Sequence, residues 1–120
     1  MGRLDLENRL IRFAVNIDTF CVNCHILRYR KHLKDQLLRS SCSVALNYAE
    51  AQSAESDKDF QHKTSIVLKE VRETQVALKI VSGLQKQNVN GLVELLSEVD
   101  ELVRIFHSIQ KKVRDKQVLE

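Results

Sequence analysis

Apolar residues return every three or four positions through most of the chain, and the interruptions of that repeat divide it into four rods. Leu6, Leu10, Phe13, Ile17, Phe20 and Cys24 mark one face of a first helix over about residues 4–24. Leu92, Leu95, Val99, Leu102, Phe106, Ile109 and Val113 do the same for a last helix over about 90–115. A third helix, about 57–82, repeats Phe60, Thr64, Val67, Val71, Thr74, Leu78 and Val81 and adds Ile66, Ala77 and Ile80, so two of its faces are expected to be covered. The second helix, about 29–54, differs in kind. Small residues fill it, and Gln36, Ser40, Ser43, Asn47 and Glu50 recur at steps of four, three, four and three. On a helix they form one line flanked by Leu33, Leu37, Val44, Ala45 and Tyr48. Buried polar groups left unpaired cost about 1–3 kcal/mol each. The line is therefore expected to meet another helix or another copy of the chain.

The breaks between rods are short, which favours antiparallel neighbours. Ser56 followed by Asp59 resembles a capping box with Asp in place of Glu, Gly83 suits the end of the third helix, and Asn88 or Asn90 suits the start of the fourth. Composition agrees: 120 residues hold no Pro, three Gly and 5% aromatics, too few turn formers and β-formers for a sheet. The predicted fold is all-α, an up-down-up-down antiparallel four-helix bundle occupying residues 1–120 as one domain. The first residues alternate charge without an apolar core of the kind a leader has, and no run approaches the ~20 apolar residues of a membrane span. The expected location is the cytoplasm, with no membrane partner.

Candidate chemistry is sparse. Cys21-Val22-Asn23-Cys24-His25 spells C-x-x-C-H, a haem attachment pattern, yet both thiols continue the apolar seam of the first helix, where Cys behaves as a small hydrophobe. Zinc would need Cys21, Cys24, His25 and either His32 or Cys42, but structural zinc sites show two tight ligand pairs and only one is present. Three thiols in a reducing compartment predict no disulfide. Glu70, Glu73, Glu98 and Glu101 lack the Glu-x-x-His partners of carboxylate-bridged metal bundles, and His25, His32, His62 and His107 are scattered. No enzymatic activity and no cofactor are expected.

Charge adds more. Arg28, Arg30, Lys31, Lys34 and Arg39 against Asp35 alone give +4 over residues 28–39. Lys111, Lys112, Arg114 and Lys116 against Asp115 give +3, while Glu50, Glu55, Asp57 and Asp59 against Lys58 give −3. Segregated charge of this kind is the footprint expected for a phosphate backbone, although cations near a helix C-terminus are also favourable on dipole grounds alone.

The run from Gln36 to Asn47, then Glu50 to Ser56, Asp59-Phe60, His62-Lys63 and Leu68 to Thr74, resembles the four-helix-bundle proteins of the 23S ribosomal RNA intervening-sequence family. That family is similar in turn to the accessory variability determinant proteins of diversity-generating retroelements. The chain departs from the pattern at Gln75-Val76-Ala77, where many relatives carry Tyr-Trp. The resemblance implies a ring-like homopentamer, without enzymatic activity, that binds RNA or DNA and in retroelements serves a reverse transcriptase. The expected function is thus a homo-oligomeric, RNA-binding accessory protein. Phosphate contact falls to Arg28, Arg30, Lys31, Lys34 and Arg39, and assembly to Gln36, Ser40, Ser43, Asn47 and Glu50. The alternatives are a protein-interaction scaffold and a haem or metal protein using Cys21, Cys24 and His25.

Overall fold

The computed structural model describes residues 2–85 and 89–119. Four helices run through them, α1 (Arg3–Asn23), α2 (Lys31–Gln52), α3 (Asp57–Leu84) and α4 (Leu92–Leu119), and no strand occurs among the described residues. The expected all-α architecture is present. Cross-helix bonds fix the antiparallel order: Gln52 reaches Glu7, Ser40 meets Thr74, Gln75 reaches Asp100, and Lys116 meets Asp57.

The seam of α1 buries Leu6, Leu10, Phe13, Ile17, Phe20 and Cys21, and the helix ends where Cys24 turns to extended geometry. A separate 3-10 turn, His25–Tyr29, follows, so helix two does not begin at residue 29 as the periodicity suggests. The reason is phase. Leu27 and Leu33 are both buried but stand six residues apart, about 120° around a single helix, and the 3-10 turn changes the phase between them. Backbone bonds from Leu27 N–H to the Cys24 carbonyl (3.1 Å) and from Arg30 N–H to the Leu27 carbonyl (3.2 Å) close the turn.

The Ser56 hydroxyl caps α3 by accepting the Asp59 N–H at 3.0 Å, while the Asp59 carboxylate accepts the Glu55 N–H at 3.2 Å, one residue ahead of the cap. Gly83 is not a terminator: α3 passes through it to Leu84. The left-handed glycine is Gly91, at φ 87°, immediately before α4, and its carbonyl accepts the Leu95 N–H. Asn90 therefore does not cap α4, and Asn88 lies outside the described residues.

All four helices contribute to one apolar cluster, centred on Leu10, Phe13, Leu37, Val71, Leu102 and Phe106. The Tyr48 and Phe106 rings meet edge to face, 5.7 Å between centroids. Of the second apolar set expected on α3, Ala77 is buried but Ile80 is 48% exposed. The helix packs extensively only on α2 and α4, and both approach it from the core side. Packing between α1 and α4 is looser, leaving an open groove of about 670 Å³ that Arg9 bridges to Glu98 and Glu101.

Candidate nucleic-acid and assembly surfaces

The antiparallel order gathers the end of α1, the 3-10 turn, the start of α2 and the end of α3 at one end of the rod. Arg28 and Lys31 are exposed there, and Arg30 and Lys34 are half-buried. The Arg30 guanidinium donates to the Ile26 carbonyl at 3.0 Å, which holds it against the turn. Lys31 and Asp35 make a 2.6 Å pair that stays in water, where such pairs are worth little and leave the cation available. Arg39 is separated from these four. Its guanidinium lies 2.6 Å from Glu73 and 3.2 Å from Glu70, and hydrogen bonds to Glu70 and then Glu73 push its pKa upward.

The polar line of α2 divides as well. Ser40 is fully buried, with its hydroxyl 2.7 Å from that of Thr74 on α3. Thr74 commits its own proton to the Glu70 carbonyl at 2.9 Å, so Ser40 is the donor between the two hydroxyls. Its partner is thus another helix of the same chain. The Asn47 amide donates to the Ser43 carbonyl of its own helix at 2.8 Å. Gln36 and Ser43 are half-buried and Glu50 is exposed.

Three features escaped the sequence reading. An open groove of about 730 Å³ between α2 and α3 has Leu33, Val76 and Ile80 in its lining and His32, Lys69 and Arg72 among its polar groups. The outer face of α1 exposes Leu4, Ile11, Val15 and Val22, each 47–71% accessible, at steps of seven, four and seven. That second near-heptad was visible in the sequence, but the first seam already accounted for the helix. The third is Tyr29, 81% exposed on the 3-10 turn.

The other candidates come apart on inspection. Cys21 and Cys24 are buried in the core, Cys42 is exposed on α2, and His25 faces solvent. Burial pushes the Cys21 thiol up to about 11. Among the described residues, no three His, Cys, Asp or Glu side chains gather as a metal would require. Glu70 and Glu73 face Arg39 while Glu98 and Glu101 face Arg9, so the four carboxylates lie on two different seams, each with its own cation. No helix among the described residues is long and apolar enough to cross a membrane. The second basic cluster sits at the C-terminal end of α4, where Lys116 is 3.0 Å from Asp57.

Comparison with known proteins agrees with this architecture. A family model described as 23S rRNA-intervening sequence protein matches residues 3–108. A crystal structure of a protein with unknown function from the S23 ribosomal protein family of Bacteroides thetaiotaomicron VPI-5482 superposes with a TM-score of 0.77 at 26% identity, covering 92% of this chain and 99% of that one. No curated protein matches the chain.

Proposed function

Because the chain belongs to the 23S rRNA-intervening sequence protein family, we propose that it is a non-enzymatic, homo-oligomeric accessory protein that binds nucleic acid, RNA above all, through the basic end of its bundle. One observation carries this reading: cations stand at the wrong end of a helix. The first turn of α2 contains no acid, while Lys31 and Lys34 occupy it and Arg28 and Arg30 precede it. A helix N-terminus carries roughly half a positive charge, so cations there work against stability. The same arrangement favours an anion, since the dipole and the side chains both attract a phosphate. Arg39, tied to Glu70 and Glu73, has a smaller part in it.

Support for self-association comes from the outer face of α1. Leu4, Ile11, Val15 and Val22 form an apolar line with no partner among the described residues, spaced as a helix-pairing seam is. The half-buried part of the α2 line, Gln36, Ser43 and Asn47, adds polar groups able to fix a register between copies. A ring of five, a cytoplasmic setting and a reverse transcriptase with its template RNA as partners extend the proposal along the family resemblance. Sedimentation velocity and salt-dependent gel shifts test it together. A concentration-dependent oligomer that Val15→Glu dissociates, and an RNA affinity that falls steeply with salt, are the expected results. A monomer at high concentration, or no shift at low salt, refutes the corresponding half.

A further inference from the structure

We propose that the exposed ring of Tyr29 is a platform on which an unpaired base stacks, so that the ligand of the basic end is single-stranded nucleic acid. The inference rests on the nucleic-acid reading above and narrows it. The chain has six aromatic residues. Phe13, Phe20, Tyr48 and Phe106 are buried in the core, and Phe60 is half-buried in the first turn of α3. Tyr29 alone is presented to solvent, at 81% exposure, and it stands between Arg28 and Arg30.

The ring sits on a fixed base. Leu27, two residues back, is anchored in the core, the 3-10 turn is closed by its own backbone bonds, and the neighbouring Arg30 guanidinium is held by the Ile26 carbonyl. Holding a ring with only two rotatable bonds on such a turn costs little entropy at the moment of binding. Cations beside it supply phosphate contacts, and an aromatic face beside cations is the combination by which proteins hold single strands. Duplexes keep their bases stacked inside, where the ring cannot reach them. Every base has a π-face, so the contact tolerates any sequence. From His32, three residues further on, the α2–α3 groove continues the surface with Lys69 and Arg72, giving the adjoining phosphates a path.

The chain contains no Trp, so Tyr29→Trp installs a single fluorophore at the site. Titration with a 12-nucleotide RNA, the DNA of the same sequence and the 12-base-pair duplex should quench that tryptophan with either single strand and not with the duplex. Anisotropy with labelled strands should show Tyr29→Ala weakening single-strand binding about tenfold, with Tyr29→Phe retaining it. The salt slope should stay unchanged in Tyr29→Ala, because no phosphate contact is removed. An unchanged affinity in Tyr29→Ala, an equal loss on duplex, or loss of assembly in sedimentation each overturns the assignment, the last by placing Tyr29 in a contact between copies. Should the unmodified protein bind none of the three probes at low salt, the nucleic-acid reading itself fails; should it bind them while Tyr29→Ala behaves identically, only the stacking assignment falls.

Discussion

Both ends of this rod are rich in lysine and arginine, yet only one of them is accounted for by the fold. At the end where α4 finishes, Lys116 lies in the last turn of the helix, where the dipole attracts cations, Lys111, Lys112 and Arg114 precede it, and the acids of residues 50–59 share that end, with Lys116 3.0 Å from Asp57. At the end where α2 begins, Lys31 and Lys34 stand in its first turn against the dipole, Arg28 and Arg30 come just before it, and Asp35 pairs with Lys31. Similar composition therefore has opposite energetic meaning. One cluster stabilises the bundle, and the other is held at a cost that a bound anion would offset. With the molecule 52 Å long and the Debye length about 8 Å at physiological salt, the two ends act independently.

The sharpest way to break this contrast is to reverse charge at each end separately. Changing Arg28, Arg30, Lys31 and Lys34 to Glu should lower RNA affinity by at least a hundredfold at low salt and make the salt slope shallower by about three, at about 0.7 per phosphate on a single strand. Changing Lys111, Lys112 and Arg114 to Glu should alter affinity only a few-fold. Gel shifts across a salt series measure both. Equal losses from the two variants would mean that the dipole argument does not locate the binding surface.

Stability should respond in the reverse sense. Arg30→Asp gives α2 the side-chain cap that Arg30 does not provide and puts an acid where the dipole favours one, so it should raise unfolding free energy by about 1 kcal/mol even as it weakens RNA binding. At the other end, Ser56→Ala removes the hydroxyl that accepts the Asp59 N–H and should cost about 1 kcal/mol, with RNA affinity unchanged. Urea unfolding beside the gel shifts separates the outcomes. A destabilised Arg30→Asp protein would show that the bond to the Ile26 carbonyl matters more than capping.

Much of the bundle was legible because its core seams are long and regular: the faces carrying Leu6 to Phe20 and Leu92 to Phe106 lie where the repeat puts them. The repeat places a break at residues 25–28 but does not show that it is a 3-10 turn reaching Tyr29. Tyr29 is expected at the first position of the second helix and instead belongs to a separate 3-10 turn, so that Arg28 and Tyr29 both stand outside α2, which begins at Lys31. The partner of Ser40 was equally out of reach, since Thr74 is 34 residues away and the pairing depends on how α2 and α3 align. For Ile80, periodicity could not tell which α3 face would lack a neighbour. Lys69 and Arg72 beside it became candidates only when the α2–α3 groove was seen.

The smallest expected effect tests the basic end from its core side. Cys21 lies buried beneath it, and burial, with only partial opposition from Lys34, raises its pKa from 9.0 to about 11. A folded-state pKa above that of the unfolded chain means the contribution is fully present below pH 9 and is lost as pH climbs from about 9 toward about 11, because the unfolded thiol ionises first. Unfolding free energy should decline over that window, and Cys21→Ala should flatten the decline while lowering stability at neutral pH through the lost packing. Lys34 has a definite part in this balance. Neutralising it as Lys34→Gln removes the one nearby cation that favours the thiolate, so the decline should begin no earlier and extend to higher pH. An alkaline profile left unchanged by Lys34→Gln would show that the Lys34 charge is directed away from the core and into solvent, which would strengthen its assignment to phosphate.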